Sequence, residues 1–236
     1  MRHYEGVFRE VNAVVYYSNT GQSAEVADYL ANALHFPAFS MENASERYYE
    51  TLVLVFPVHC QNVPQAVADF LKQTQSKYLC AVATYGKMWY GNVLYEIQNT
   101  YRQNVIAAAY VPAKHTYLED NASLELSLLQ PLIEKVKQPA PLQIPRSYKN
   151  PIASLFPVLR GRLGVKLIKS KACNGCGLCT ASCTIGAMRA GKPNRKCIRC
   201  LKCVSVCPQK ALSFKVRLPL RLYLRKKPVS ETVVYV

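Results

Sequence analysis

Eight of the ten cysteines fall between Cys173 and Cys207, and their spacing repeats. Residues 173–183 read C-x2-C-x2-C-x3-C, and residues 197–207 read the same, with Pro208 following. Aligned, CGLCTASCTIGAM and CLKCVSVCPQKAL are one unit displaced by 24 residues. Thiols this dense are paired as disulfides, hold a metal ion or carry a cluster. The N-terminus, MRHYEGVFREVNAVVYYS, has no continuous apolar segment ending in a small-residue cleavage site, so export and disulfides are not expected. A zinc site generally takes four ligands as two separated pairs, which two triplet-plus-one sets fit poorly. Three thiolates on one tight loop suit three corners of a cluster, and a distant thiolate must close the fourth.

Over residues 165–216 the chain resembles ferredoxins of the two-cluster 4Fe-4S type, in which the fourth cysteine of each motif ligates the other cluster. The resemblance implies that Cys173, Cys176, Cys179 and Cys207 hold one cluster. It assigns Cys197, Cys200, Cys203 and Cys183 to the second. Thr184 departs from the family, because the first motif lacks the proline that Pro208 gives the second. Proline contributes no ligating atom, so the departure bears on local rigidity and not on ligation. Cys60 and Cys80 stand apart in apolar, strand-like contexts and read as buried structural thiols.

The first 145 residues follow a different rhythm. Apolar runs at 11–17, 51–58, 78–86 and 104–112, with a short one at PAFSM, alternate with helical patterns over 24–34, 63–73, 92–102 and 124–138. In the last of these, Pro131 predicts a kink or break. The alternation implies a parallel sheet with helices on both faces. Its size is that of a five-stranded flavodoxin-like α/β domain (order 2-1-3-4-5), followed here by a small α+β domain carrying the cysteines.

SNTGQS, residues 18–23, lies between the first strand and the first helix. Backbone N–H groups and a helix N-terminus there suit a phosphate, with hydroxyls from Ser18, Thr20 and Ser23 and close approach at Gly21. The alternative is a simple helix cap by Thr20 or Ser23. No G-x-G-x-x-G follows the strand, so a dinucleotide fold is not indicated. The loop resembles the FMN phosphate loop of flavodoxins, Thr/Ser-x-Thr-Gly-x-Thr/Ser, at every fixed position. That resemblance implies FMN held by Ser18, Asn19, Thr20, Gly21, Gln22 and Ser23. It places the isoalloxazine by the fourth-strand loop, with Thr84, Tyr85, Gly86, Trp89, Tyr90 and Gly91. The third-strand loop offers only His59 as a ring partner, or as a solvated residue. Together the two resemblances match the flavodoxin–ferredoxin fusion family, known mainly from anaerobic bacteria.

Charge divides at the same boundary. Residues 1–150 hold 12 Lys/Arg and 13 Asp/Glu, whereas residues 151–236 hold 18 Lys/Arg and one acid, Glu231. We therefore expect a flavodoxin-like domain over 1–145, a proline-rich linker or strap over 146–164, the ferredoxin domain over 165–216 and a basic tail over 217–236. Two oxidised clusters carry about −2 each and offset only a fraction of the excess. Lys192, Arg195, Lys196, Arg199 and Lys202 should favour reduced clusters, and the excess suits an acidic redox partner. Nothing resembles a base-reading motif, so nucleic acid is not the expected partner. The strap, IASLFPVLRG, reads as a helix packing one domain on the other or lying on a membrane surface. The tail, KVRLPLRLYLRKK, reads as a strand with a basic face or an arm on anionic surfaces. No apolar run approaches a membrane span.

The expected function is cytoplasmic electron transfer, and no catalytic acid, base or nucleophile stands out. Two alternatives are a flavin-dependent reductase fed by the ferredoxin domain and a non-redox interaction module with an empty flavodoxin-like domain.

Overall fold

The computed structural model describes residues 11–86, 88–118, 124–155, 157–225 and 229–236. The start of the first domain, Lys87 of the fourth-strand loop and Lys226 and Lys227 of the basic tail lie outside the described residues.

Five parallel strands form the first sheet: β1 (Asn12–Tyr16), β2 (Ala38–Ser40), β3 (Tyr48–Pro57), β4 (Gln75–Tyr85) and β5 (Val105–Pro112). Their spatial order is 2-1-3-4-5, as the alternating pattern predicts. Four helices cover the sheet: α1 (Gln22–Leu34), α2 (Gln65–Gln73), α3 (Val93–Asn99) and α4 (Gln130–Lys137). Side chains alternate across the strands, so Ala13 and Val15 pack on the face of α2 and α3 while Val14 packs on the face of α1 and α4. Pro131 does not kink α4. It sits in the first turn, where its missing N–H leaves no intrahelical bond unmade, and a short 3-10 turn at Leu126–Leu129 precedes it.

The cysteine-rich region opens with α5 (Pro157–Gly164) and β6 (Val165–Lys169), which pairs antiparallel with β9 (Leu212–Val216). Between them lie α6 (Leu178–Ala181), the hairpin β7 (Met188–Arg189) with β8 (Lys192–Pro193), and α7 (Lys202–Ser205).

Two segments differ from expectation. The proline-rich stretch after α4 carries no secondary structure, yet it runs bonded along the first domain. Leu142 N–H donates to Val105 O at 3.3 Å, Ile144 N–H to Gln98 Oε1 at 2.9 Å and Ser147 N–H to Asn92 Oδ1 at 2.5 Å. Lys149 pairs with Glu96 at 2.5 Å. The segment read as a basic strand or arm instead leaves β9 at Val216 and forms α8 (Leu218–Leu224), with Pro219 in its first turn. The chain then returns to the first domain, where β10 (Val233–Tyr235) pairs antiparallel with β5 as a sixth strand. Covering the alanine-rich edge of β5 removes an open row of N–H and C=O groups.

Candidate functional site

The duplicated cysteine motifs fold alike. Helices α6 and α7 occupy equivalent places 24 residues apart, each entered through a left-handed residue, Gly177 (φ 80°) and Leu201 (φ 63°). The fourth cysteine of each motif accepts an equivalent N–H···S bond: Ala187 to Cys183 Sγ at 3.2 Å and Ala211 to Cys207 Sγ at 3.3 Å. Arg199 Nη1 also donates to Cys197 Sγ at 3.2 Å. Hydrogen bonds of this kind stabilise negative charge on sulfur and tune a cluster's potential.

The thiols surround two cavities, and each takes its fourth cysteine from the other motif. Cys173, Cys176, Cys179 and Cys207 line one. Cys183, Cys197, Cys200 and Cys203 line the other. The four thiols around each cavity form a cage, and among the described residues no three His, Cys, Asp or Glu side chains converge closely enough for a single metal ion. Burial, then the neighbouring thiols, push Cys203 up to about 11, and Cys200 is raised for the same reasons. Such a cage resists carrying free thiolates and accommodates them once a cationic iron core shares it. The donor sets therefore fit iron–sulfur clusters. The two cages differ in exposure: Cys197 and Cys203 are buried, whereas Cys176 is exposed.

The phosphate-type loop sits at the carboxyl end of β1. No side chain caps α1, whose N-cap is Gly21 in the left-handed region (φ 98°), so neither Thr20 nor Ser23 acts as the helix cap. Ser23 Oγ instead shares a buried 2.8 Å hydrogen bond with Thr84 Oγ1 at the end of β4. Gly21 N–H donates to Ser18 Oγ at 3.2 Å, and Thr20 is exposed. The carboxamide of Gln22 clamps the backbone of Lys114, its Nε2 donating to Lys114 O at 3.0 Å while its Oε1 accepts from Lys114 N–H. Asn19 is buried with both amide atoms unpartnered. An open helix N-terminus beside an unsatisfied amide fits a phosphate.

The expected ring-binding residues are placed differently. Tyr85 and Tyr90 are core side chains, and Tyr90 stacks between Trp89 (4.7 Å) and Tyr110 (3.8 Å). Burial raises Tyr85 to about 12, and its hydroxyl donates to Glu231 O at 2.6 Å, pinning the C-terminal arm. Trp89 is half-buried and donates through Nε1 to Tyr148 O of the strap at 2.5 Å. Gly86 lies against His115, 3.0 Å from where a Cβ would sit. At Gly91 (φ 71°) a Cβ would meet Gln61 Cβ at 2.8 Å. Tyr85 and Tyr90 thus fill the core beneath the loop, and Trp89 packs between Tyr90 and the strap.

The third-strand loop turns tightly at Cys60 and Gln61, both left-handed (φ 51° and 64°), between mutual backbone bonds of His59 and Asn62. Gln61 Oε1 accepts from Asn150 N–H at 2.9 Å, and Asn62 Nδ2 donates to Ala153 O at 3.1 Å, so the strap closes this loop too. His59 is half-buried edge-on to Tyr17, and desolvation pulls its pKa down to about 4. Cys80 is buried in β4 as expected, but Cys60 is an exposed loop residue because the chain has left the strand before reaching it.

Two tyrosines that the sequence reading passed over join the domains. Tyr17, immediately before the loop, shares a 3.3 Å hydrogen bond with Thr184 Oγ1. Tyr117, after β5, donates to Arg199 O at 2.7 Å and packs on Phe214. Both contacts fall on the cage of Cys183, Cys197, Cys200 and Cys203. Tyr17 lies at the carboxyl edge of the sheet, the edge where ligands of doubly wound folds bind.

A family model for the 4Fe-4S binding domain matches residues 194–213, spanning Cys197, Cys200, Cys203 and Cys207. Among solved structures, a flavodoxin from the domain Archaea is similar at 19% identity and TM-score 0.42, over 53% of this chain and 98% of that one. A short-chain flavodoxin associated with a non-canonical PDU bacterial microcompartment follows at 16% identity and TM-score 0.40, over 55% and 98%. Rubredoxin oxygen:oxidoreductase from Desulfovibrio gigas matches at 17% identity and TM-score 0.37, over 55% of this chain and 36% of its own. No curated protein matches. The chain thus combines a five-stranded parallel sheet of order 2-1-3-4-5 with a segment that matches the 4Fe-4S binding domain.

Proposed function

We propose that this protein is an iron–sulfur flavoprotein that carries electrons between a bound FMN, two 4Fe-4S clusters and an acidic redox protein. The single observation that carries this reading is the seating of one cysteine cage on Tyr17, the residue that leads into the phosphate-type loop. Clusters transfer one electron at a time, and a flavin accepts two, so the cofactors supply the chemistry. The chain's own residues bind and orient.

In this reading Ser18 to Gln22 present backbone N–H groups and hydroxyls to the FMN phosphate, with the Asn19 amide as a further donor. The Ser23–Thr84 bond locks the first turn of α1 to β4, so those donors are ordered before the ligand arrives. Gln22, by gripping the Lys114 backbone, fixes the loop after β5 to the same edge. Tyr17 and Tyr117 hold the inner cage, Cys183, Cys197, Cys200 and Cys203, against that edge. The outer cage, Cys173, Cys176, Cys179 and Cys207, faces solvent, where the basic surface would meet a partner. Purification under anaerobic conditions with FMN supplied, followed by cofactor quantitation, tests this.

A second reading is favoured by the aromatic packing. Because Tyr85 and Tyr90 are committed to the core, the flavodoxin-like domain has few faces left for a ring. An interaction module with clusters but no flavin accounts for that. Reversible cluster reduction with no flavin retained would favour it.

A further inference from the structure

Six of the fifteen large apolar side chains exposed among the described residues, five leucines and Tyr223, lie on α5 with its lead-in and on α8. Leu155, Leu159 and Leu163 recur at four-residue spacing, as do Leu218 and Leu222. Each is 45–57% exposed. Residues four apart lie on one helical face, so Leu159 with Leu163 on α5 and Leu218 with Leu222 on α8 each form a stripe. The helices pack side by side: a Cβ on Gly164 would meet Leu220 Cδ2 at 2.7 Å, and Arg217 N–H donates to Gly164 O at 2.8 Å. Leu220 and the buried Leu224 face inward, which leaves Leu218 and Leu222 pointing out.

Arginine accompanies the leucines. Arg217, Arg221 and Arg225, the N-cap, middle and C-cap of α8, are exposed at the same four-residue spacing, and Arg162 lies on α5. No carboxylate occurs between residue 151 and Glu231. Neither Pro157–Gly164 nor Leu218–Leu224 contains an amide or hydroxyl side chain other than Tyr223. Protein–protein interfaces place hydrogen-bonding groups around an aromatic-rich centre, and this surface offers leucine and arginine with a single exposed aromatic, Tyr223. An anionic lipid surface asks for apolar depth and positive charge alone, with arginine stems lying along the hydrocarbon boundary and their heads at phosphate level. Among the described residues no helix is long and apolar enough to cross a membrane, so the contact would be peripheral.

We propose that α5 and α8 form one platform of exposed leucine and arginine that docks the protein on an anionic lipid surface through Leu159, Leu163, Leu218 and Leu222, with Arg217, Arg221 and Arg225 at the headgroups. The platform lies outside the phosphate-type loop and its residues line neither cysteine cavity, so docking leaves the cofactor sites intact.

The test floats the full chain, purified anaerobically with its iron, on phosphatidylcholine vesicles with and without phosphatidylserine. The platform predicts association only where phosphatidylserine is present. Leu218→Glu/Leu222→Glu should weaken it by on the order of tenfold or more, since each withdrawn leucine forfeits interfacial burial. Arg217→Gln/Arg221→Gln/Arg225→Gln should weaken it as well. All five positions are exposed, and iron per chain equal to that of the unaltered protein verifies the fold of each variant. Failure of the unaltered protein to float with phosphatidylserine vesicles overturns the proposal; retention on an immobilised acidic protein in that case points to a protein partner instead. Flotation unchanged in the leucine variant and abolished by salt also overturns it, because charge alone would then account for binding.

Discussion

Thr184 stands where the repeat would place a proline, and its hydroxyl shares a hydrogen bond with Tyr17 across the domain boundary at 3.3 Å. A proline at 184 has no side-chain group to offer Tyr17. Desolvation raises the Tyr17 phenol, with the Thr184 bond acting against that shift, so the tyrosine stays protonated and the contact persists at neutral pH. The departure from the ferredoxin pattern thus supplies a contact to the first domain. Thr184→Val, similar in shape, should leave iron per chain unchanged and cost about 1 kcal/mol of stability. Urea titration of the holoprotein, with iron assayed beside it, checks both. Loss of iron in Thr184→Val would assign the residue to the cluster and not to the interface.

The two cages should differ in lability. Cys176 is exposed, whereas Cys197 and Cys203 are buried, Cys203 among Met188 and Leu212. Under an iron chelator, release should proceed in two phases of similar amplitude. Cys176→Ala should remove the fast phase and about half of the iron, given four irons per cluster. Cys200→Ala should remove the slow one. A single phase in the unaltered protein would show the cages to be equivalent.

How far the sequence carried this account depends on what each element needed. Cysteine spacing shows that a distant thiol must complete each set, the resemblance to two-cluster ferredoxins implies which one, and the cavities follow that assignment residue by residue. The parallel sheet was legible because its strands are buried on both faces and bounded by helical periods. The placement of Tyr85 and Tyr90 was not. An aromatic residue in a loop reads the same whether it faces a ligand or fills the core, and Tyr110 in the next strand decided the matter by stacking on Tyr90. The strap and β10 escaped for another reason: their contacts join residues far apart in sequence. The β-branched run TVVYV was the available signal for β10. Tyr17 and Tyr117 carried no local signal, since both act through residues about 167 and 82 positions away.

His59 provides a pH signature. Its pKa is about 4 in the folded protein, lowered by desolvation from an ordinary 6.5. Between these values the unfolded chain binds a proton that the folded chain does not. Stability should therefore decline as pH falls from about 6.5 toward 4, and this contribution is flat above that window. His59→Gln should show a shallower decline than the unaltered protein when urea midpoints are compared across pH 7 to 5. Parallel curves would mean that His59 titrates normally in the fold.

The bond between Ser23 and Thr84 predicts a coupled effect on stability and ligand. Thr84→Val leaves the buried Ser23 hydroxyl without its partner, at a cost of about 1–3 kcal/mol. The first turn of α1 loosens with it, so FMN affinity should drop while cluster iron stays constant. Equal FMN affinity in Thr84→Val and the unaltered protein would show that this bond does not order the loop.

The central claim is that one chain holds flavin and clusters together, and cofactor stoichiometry tests it most directly. After anaerobic purification with FMN supplied, the account predicts about one FMN and about eight irons released per chain. About eight irons with no flavin would contradict it, leaving Ser18 to Ser23 as an empty turn and the chain as a cluster protein on a flavodoxin-like scaffold.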